Sequence, residues 1–211
     1  MLEAKKKAAY NAVSLLEHAP LIGIGTGSTI ECLIDILQEK PWGLNKTYVS
    51  SSQRSTEYLK RKGFKTILTA HETTYVDIYI DGADWIDPQG LAIKGYGAAL
   101  FQEKLLASMA EHRIAVVDTS KQIHALCNMH QPLPIEVVDI ARSFVARKLT
   151  THGARIVYRE GVLTDQGHPI LDIYDWAWEN PIRTEQYLKS LLGVVESGLF
   201  AQLPFHQIIT E

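Results

Sequence analysis

The first 120 residues of this chain alternate short apolar runs with segments of helical periodicity, and this alternation constrains the fold more than any other feature. The pattern predicts strands at residues 21–24, 48–50, 65–68, 76–81 and 114–118. It predicts helices at residues 3–18, 30–39, 55–62 and 98–111. Strands that alternate with helices favour an α/β fold with a mostly parallel, doubly wound (Rossmann-like) sheet, whose ligands bind at the carboxyl ends of the strands.

After residue 130 the predicted elements follow the order β-α-β-β-α-β, which is typical of a ferredoxin-like unit. Its strands are predicted at residues 133–138, 154–159, 170–174 and 193–196, and its helices at residues 140–152 and 184–192. Residues 199–209 are apolar enough to pack back on the first part. We therefore expect a Rossmann-like domain of residues 1–130 plus 199–211, and a smaller α+β (ferredoxin-like) domain of residues 131–198.

The composition argues against several classes of protein. With 46% hydrophobic and 21% charged residues, the 211-residue chain has the composition of an ordinary globular protein. A net charge of −3 gives no reason to expect a nucleic acid partner, and the run Lys5–Lys7 is too short for a basic arm. The N-terminus lacks the apolar core of a signal peptide, and no stretch approaches the roughly 20 apolar residues that span a bilayer. We expect a cytoplasmic protein with no membrane partner.

The cysteines and histidines do not suggest a metal site. Cys32 and Cys127 are far apart and are predicted to be reduced thiols. The closest cluster of potential ligands, His124, Cys127 and His130, lacks the paired ligand sets typical of zinc. We therefore expect no metal and no other cofactor.

A glycine-rich turn, residues 25–29, separates the first predicted strand from a helix. Its glycines let the backbone approach a ligand closely, and the helix that follows offers unpaired N–H groups and the positive end of a dipole. Such a turn suits a phosphate or another anion. It is neither a Walker loop nor a convincing dinucleotide fingerprint. The alternative is an ordinary helix start in which Ser28 or Thr29 is the N-cap.

A second candidate site lies between residues 81 and 104. Asp81 and Asp84 follow a predicted strand, Lys94 precedes a glycine-flanked turn, and Glu103 comes early in a predicted helix. Carboxylates and an ammonium group gathered where a strand ends are suited to proton transfer beside a developing negative charge. The alternative is that Asp81-Gly82 and Asp87-Pro88 are turn residues, and that Glu103 and Lys104 lie on a solvated helix face.

Lys121 follows another predicted strand. Because the ends of parallel strands meet at one edge of a sheet, the acids, lysines and hydroxyls at these ends could face a single small polar ligand. For Lys121 considered alone, an ordinary surface lysine is the simpler interpretation.

Together these motifs resemble ribose-5-phosphate isomerase, type A, over nearly the whole chain. The resemblance rests on the segments 23–29 (GIGTGST), 81–84 (DGAD), 94–100 (KGYGAAL) with 103–104 (EK), 118–121 (DTSK), 133–137 (LPIEV) and 193–200 (GVVESGLF). It implies reversible isomerisation of D-ribose 5-phosphate and D-ribulose 5-phosphate, a reaction of the non-oxidative pentose phosphate pathway, without a metal. It also implies a homodimer or homotetramer.

The resemblance also implies roles for individual residues. Glu103 would be the base that moves a proton between C1 and C2 through an enediolate. Asp81, Asp84 and Lys94 would assist ring opening and proton movement between oxygens, with Lys94 stabilising the enediolate. The residues expected to bind substrate are Thr26, Gly27, Ser28, Thr29, Asp81, Gly82, Ala83, Asp84, Lys94, Gly95, Tyr96, Gly97 and Lys121, with Lys5 a further candidate near the phosphate.

Two residues depart from the usual family pattern. Trp85 stands where the family usually has an acidic residue, and Tyr96 replaces a glycine. A glycine can adopt a positive φ or allow close approach of substrate, whereas tyrosine does neither readily. Either the backbone there tolerates a side chain or the pocket is altered.

Two other functions therefore stay open at this point, an isomerase of a different sugar phosphate and a non-catalytic sugar-phosphate sensor. The intact acids and lysine weigh against a sensor, because binding alone needs no base.

Overall fold

The structure, a computed structural model, describes residues 2–128 and 131–211. The helices of these residues are α1 (Leu2–Val13), α2 (Ser28–Gln38), α3 (Gln53–Arg61), α4 (Leu100–Met109), α5 (Arg142–Thr150) and α6 (Pro181–Ser190). The strands are β1 (Leu21–Ile24), β2 (Thr47–Ser50), β3 (Thr66–Leu68), β4 (Val76–Asp81), β5 (Trp85–Ile86), β6 (Ala92–Ile93), β7 (Ala110–Val116), β8 (Leu133–Val137), β9 (Arg155–Leu163), β10 (Pro169–Tyr174), β11 (Val194–Ser197), β12 (Leu199–Phe200) and β13 (Gln207–Ile209).

Local sequence explains where several helices begin. The side chain of Ser52 accepts a hydrogen bond from the N–H of Ser55 and so caps α3. Asn180 caps α6 in the same way by accepting from the N–H of Arg183, and Pro181 occupies the first turn. These two residues explain why α6 begins three residues before the predicted start at 184.

The chain divides into two compact units. The first comprises residues 1–83, 102–122 and 205–211, and the second comprises residues 84–101 and 123–204. These units differ from the predicted domains at residues 84–101, 123–130 and 199–204, which the prediction places in the first domain. The pairing of β6 with β12 forms a small sheet within the second unit, and the N–H of Ile123 donates to the carbonyl of Ile86 in the same sheet at 3.0 Å.

The first unit contains a six-stranded sheet with the order β3-β2-β1-β4-β7-β13. Every pair of neighbouring strands in it is parallel. This is the doubly wound order, in which the chain reverses direction across the sheet between β1 and β4. Strands of a parallel sheet are usually covered on both faces and therefore consist mostly of apolar residues. Ile22, Ile24 and Ile80 of this sheet are fully buried. The prediction of a Rossmann-like sheet is confirmed.

The second unit contains a four-stranded antiparallel sheet with the order β11-β8-β10-β9. In chain order these are the fourth, first, third and second strands of a β-α-β-β-α-β sequence, as predicted for a ferredoxin-like unit. Its core includes Ile135, Val145, Leu171 and Leu188. The short sheet β12-β6-β5 completes this unit.

Several predicted boundaries differ from the observed ones. The first helix ends at Val13 and continues as a 3-10 turn, Ser14–Leu16, instead of reaching residue 18. Strand β7 begins at Ala110 rather than 114 because its pairing with β4 starts at Val76 and Ala110. Among residues 2–128 and 131–211, no helix has both the length and the apolar character needed to cross a membrane.

Candidate active site

Asp81 is the last residue of β4, and its carboxylate is fully buried. Its Oδ1 accepts hydrogen bonds from the N–H of Thr26 (3.0 Å) and from the N–H of Gly82 (2.7 Å). Its Oδ2 accepts a hydrogen bond from the hydroxyl of Tyr79. These donors fix the orientation of the Asp81 carboxylate at the carboxyl end of β4, next to β1, where the strand order of the sheet reverses.

Gly25 makes room for that carboxylate. A Cβ atom on residue 25 would lie 1.8 Å from Cγ of Asp81. The N–H of Gly25 also donates to the carbonyl of Ile80 at 2.9 Å, which carries the pairing of β1 and β4 beyond the end of β1. The sequence analysis explained the glycines of this turn by close approach to a ligand. At residue 25 the group that approaches closely is the carboxylate of Asp81.

The start of α2 is open to an anion. Gly27, with φ of 110°, is the N-cap residue, and no side chain caps the helix there. The interpretation of Ser28 or Thr29 as N-cap is therefore wrong, and both residues lie in the first turn of α2. The ammonium group of Lys5 donates to Oγ of Ser28 at 2.8 Å. A lysine, two hydroxyls and a helix N-terminus together suit a phosphate group.

Two serines that the sequence analysis missed hold this turn. The hydroxyl of Ser52 donates to Oγ1 of Thr26 at 3.0 Å, and the hydroxyl of Ser55 donates to the carbonyl of Gly25 at 2.7 Å. For Ser52 the signal was present, because the run Ser50–Ser52 begins at the last residue of β2, at the same edge of the sheet. The rule that was applied to the other strand ends would have identified it.

Glu103 lies in the first turn of α4 and is only 3% exposed. The pKa of Tyr79 is raised well above its ordinary value, first by burial and then by the charges of Asp81 and Glu103. The two carboxylates thus act on one buried hydroxyl. The interpretation that Glu103 and Lys104 lie on a solvated helix face is wrong, because both residues are buried.

Lys121 lies in a 3-10 turn that follows β7. The carboxylate of Glu211 accepts hydrogen bonds from the N–H (3.0 Å) and from the hydroxyl (2.7 Å) of Thr119, which holds this turn. Because β7, β4 and β1 are adjacent, the segments that carry Lys121, Asp81 and the turn 25–29 leave the same edge of one sheet.

Asp84 and Lys94 belong to the second unit, and Gly82 and Ala83 link Asp81 to Asp84 along the chain. The N–H of Asp84 donates to the carbonyl of Ile93 at 2.9 Å, and its Oδ2 accepts from the N–H of Tyr96 at 3.0 Å. Asp84 thereby connects the segment after β4 to the loop after Lys94.

The Lys94 backbone is held by Gly198. The N–H of Lys94 donates to the carbonyl of Gly198 at 2.8 Å, and a Cβ on residue 198 would lie 2.0 Å from the carbonyl oxygen of Lys94. The Lys94 side chain is 3% exposed, and its ammonium group lies 5.9 Å from the centre of the Phe200 ring. Gly198 and Phe200 are therefore neighbours of Lys94 within the second unit.

The loop of Gly95–Gly97 tolerates a tyrosine side chain. The positive φ angles lie at Gly95 (105°) and Ala98 (58°), so Tyr96 avoids the strained region. Its hydroxyl accepts from Nε1 of Trp85 at 3.4 Å and donates to the carbonyl of Pro132 at 3.1 Å. Burial raises the pKa of this hydroxyl to about 12. The two departures from the family pattern, Trp85 and Tyr96, thus contact each other.

Asp87 is a turn residue, as one of the two interpretations of the sequence held. Its Oδ1 accepts hydrogen bonds from the N–H of Gln89 (2.9 Å) and from the N–H of Leu91 (3.1 Å). This carboxylate therefore shapes the turn between β5 and β6.

Within residues 2–128 and 131–211, no group of three or more His, Cys, Asp and Glu side chains is arranged to hold a metal ion. His130, a member of the cluster considered in the sequence, lies outside the described residues. Neither Cys32 nor Cys127 forms a disulfide bond.

Sequence comparison assigns the family. The sequence model of the family described as ribose 5-phosphate isomerase A (phosphoriboisomerase A) matches residues 47–211. The ribose-5-phosphate isomerase A of Glaesserella parasuis serovar 5 is 44% identical over 201 residues, which are 95% of this chain and 90% of the relative. That of Pasteurella multocida is 44% identical over 200 residues, with the same coverage of 95% and 90%.

Solved structures agree. The crystal structure of ribose 5 phosphate isomerase A from Neisseria gonorrhoeae superposes with a TM-score of 0.91 at 35% identity, covering 100% of this chain and 93% of that one. A D-ribose-5-phosphate isomerase in complex with phospho-erythronic acid superposes with a TM-score of 0.88 at 33% identity, covering 96% of this chain and 91% of that one. From the sequence match, the shared fold and the coverage of nearly the full length, the chain belongs to the ribose 5-phosphate isomerase A family.

Proposed function

We propose that Glu103 is the base in the isomerisation of ribose 5-phosphate to ribulose 5-phosphate that this chain catalyses. The observation that carries the proposal is that Glu103, in the first turn of α4, is only 3% exposed. Burial keeps water from competing for the carboxylate, and the helix N-terminus favours a negative charge there.

The reaction needs a base because it moves a hydrogen between two carbons. In the open-chain aldose, Glu103 removes the proton from C2, and the C–H electron pair forms the C1–C2 double bond of an enediolate while the C1 carbonyl oxygen takes the negative charge. Return of the proton to C1, with transfer of the O2 proton towards O1, gives the ketose. No atom or electron is gained or lost overall.

The enediolate needs a positive charge or hydrogen-bond donors near its oxygens. Lys94 supplies the ammonium group in this proposal, and its 3% exposure means that water screens the charge little. Asp81 and Asp84 assist ring opening and the transfer of protons between sugar oxygens. Fixed hydrogen bonds to backbone N–H groups orient both carboxylates for that role.

Phosphate binding is assigned to the start of α2. Lys5, Ser28 and Thr29 supply one cation, two hydroxyls and the N–H groups of the first turn, with Lys121 as a second cation. The remaining residues expected to line the substrate are Thr26, Gly27, Gly82, Ala83, Gly95, Tyr96 and Gly97. The phosphate provides binding energy away from the reacting carbons, which can hold the sugar in register.

The chemistry requires no metal in this proposal, because the ammonium group of Lys94 can stabilise the enediolate charge. Turnover is therefore expected to persist when a chelator is present.

The test is conversion of ribose 5-phosphate to ribulose 5-phosphate, with EDTA added, by the wild type and by Glu103→Gln. The matched control is Glu111→Gln, because Glu111 is an exposed carboxylate of the same unit whose partner is the Tyr75 hydroxyl. We expect Glu103→Gln to lower kcat by roughly 100-fold or more, the usual contribution of a general base, and the control to keep activity. Full turnover by Glu103→Gln would refute the role of Glu103.

We also propose that the chain assembles as a homodimer or homotetramer. Large apolar side chains of the second unit are exposed in the single chain, including Ile140 at 94%, Leu192 at 81% and Leu163 at 60%. Apolar surface of this kind supports an interface between copies. Sedimentation velocity at micromolar concentration measures the assembly, and a monomer would contradict the proposal.

The cytoplasm is the proposed location. The absence of a disulfide bond at Cys32 and Cys127 supports it, because the cytoplasm keeps thiols reduced. Cell fractionation tests this point, and recovery outside the cytoplasmic fraction would refute it.

A further inference from the structure

Arg159 and Asp172 form a two-point ion pair across neighbouring strands of the second unit. Nε of Arg159, on β9, donates to Oδ2 of Asp172, on β10, at 2.9 Å, and Nη2 donates to Oδ1. The side chains are 18% and 10% exposed. A fork of this kind holds the planar guanidinium in one orientation, which a single contact would not do.

The remaining nitrogen of Arg159 reaches the loop that follows Lys94. Nη1 donates to the carbonyl of Gly95 at 2.9 Å and to the carbonyl of Tyr96 at 3.3 Å. The guanidinium carbon lies 6.0 Å from the centre of the Tyr96 ring. One side chain of the antiparallel sheet therefore holds two successive carbonyl groups of the loop.

Other hydrogen bonds hold the N–H groups of this loop, and within the loop the carbonyl of Gly95 also accepts from the N–H of Ala98 at 3.1 Å. The carbonyl of Gly198 accepts from the N–H of Lys94, and the carboxylate of Asp84 accepts from the N–H of Tyr96. Gly95, between them, has φ of 105° and therefore a conformation that few other residues would hold. Fixing its carbonyl limits rotation about the bonds that follow Lys94.

We propose that Arg159 is a positioning residue for Lys94 in the isomerisation. Asp172 orients the guanidinium, the guanidinium fixes the carbonyls of Gly95 and Tyr96, and the fixed loop holds the ammonium group of Lys94 where the enediolate charge forms. The inference rests on the proposed role of Lys94. Arg159 needs no contact with the substrate for this role.

Loss of the fork has a specific kinetic consequence. A displacement of about 1 Å in a charge-stabilising group can cost as much as 100-fold in rate. The phosphate contacts proposed for Lys5 and the start of α2 belong to the first unit, so binding of the phosphate is expected to survive. Removal of Arg159 should therefore lower kcat and leave KM nearly unchanged.

The experiment compares Arg159→Met with Arg155→Met. Arg155 lies on the same strand and pairs with Asp175 at 2.7 Å, but both side chains of this pair are more than half exposed. The partners of Arg155, Asp175 and Tyr174, lie outside the loop that follows Lys94. We measure kcat and KM for ribose 5-phosphate, together with the unfolding temperature of each variant. We expect Arg159→Met to lower kcat by roughly 10- to 100-fold with KM within about threefold of wild type, and Arg155→Met to change kcat less than about twofold.

Arg159→Lys and Lys94→Met complete the design. The lysine variant keeps the charge but not the fork, so its kcat should also fall, and it replaces Arg159→Met if that protein does not fold. A kcat within twofold of wild type for the folded variants would overturn the proposal, as would equal changes in kcat and KM. If Lys94→Met loses activity and Arg159→Met keeps it, the positioning role of Arg159 is rejected and the role of Lys94 stands. Full activity in Lys94→Met would reject the role of Lys94.

Discussion

The carboxylate of Asp81 occupies the space that a side chain on residue 25 would need. A Cβ there would lie 1.8 Å from Cγ and 1.9 Å from Oδ1 of Asp81. The carboxylate that is proposed to act on the sugar oxygens therefore depends on the absence of a side chain in the turn opposite. This relationship ties the glycine-rich turn after β1 to the aspartate after β4.

Gly25→Ala is expected to displace that carboxylate. Because Asp81 is fully buried and bonded to neighbouring donors, the overlap should lower the free energy of unfolding by about 2 kcal/mol and kcat by tenfold or more. Enzyme assays and urea unfolding measure the two effects. For stability, Gly82→Ala is the control, since the atom nearest to its added Cβ is 3.8 Å away. Wild-type kcat in Gly25→Ala would show that the position of Asp81 does not matter.

Gly198→Ala should damage the second unit for a similar reason. Its added Cβ would lie 2.0 Å from the carbonyl oxygen of Lys94, and a backbone atom cannot move aside as a flexible side chain can. We expect a loss of about 3 kcal/mol in the free energy of unfolding, measured by urea denaturation. A loss below roughly 1 kcal/mol would mean that β6 and β12 can separate without cost.

Lys5→Met tests the phosphate site. Loss of the ammonium group beside Ser28 should raise KM for ribose 5-phosphate roughly tenfold, with little change in kcat, because a charge-assisted hydrogen bond contributes about 1.5 kcal/mol. Steady-state kinetics at low ionic strength measure the effect. Lys6→Met is the matched control, as Lys6 is exposed on the same helix. Equal KM values for both variants would place the phosphate elsewhere.

Glu136 gives the second unit a pH-dependent stability. Burial raises the pKa of this carboxyl from 4.5 to about 7. The unfolded chain then loses its proton at lower pH than the folded chain, so the stability contributed by the neutral form is present at pH 4.5 and is lost as the pH rises towards 7 and above. The loss should be on the order of 3 kcal/mol.

Glu136→Gln should remove this dependence, since an amide keeps an oxygen that can accept from the hydroxyl of Thr164 but does not ionise. Urea unfolding between pH 5 and pH 8 measures the slope for each protein. The exposed Glu160 provides the control variant, Glu160→Gln, which should retain the wild-type slope. An unchanged slope in Glu136→Gln would show that another group titrates.

Periodicity identified most of the six-stranded and four-stranded sheets, because most of their strands are long enough to show it. The strands β1 and β4 and the residues at their ends were predicted from the apolar pattern and the rule that ligands lie at carboxyl ends. The pairing of Ala92–Ile93 with Leu199–Phe200 was not predicted, because two-residue strands carry no period. Residues 84–101 and 199–204 were therefore assigned to the first domain.

The supporting residues of the site were harder to predict than the residues they hold. Arg159 is separated from Gly95 by 64 positions, and only the register of β9 and β10 brings its fork to Asp172. Sequence alone does not specify which arginine donates to a given carbonyl. Ser52 could have been predicted, since it lies just after a predicted strand.

The central claim is that Glu103 moves the proton between C2 and C1, and ribose 5-phosphate deuterated at C2 tests it most directly. With the wild type, the deuterium should leave C2 at the rate of turnover and be found at C1 of ribulose 5-phosphate or in water. With Glu103→Gln, release should fall by roughly 100-fold or more. Deuterium leaving C2 at the wild-type rate in Glu103→Gln would contradict the account.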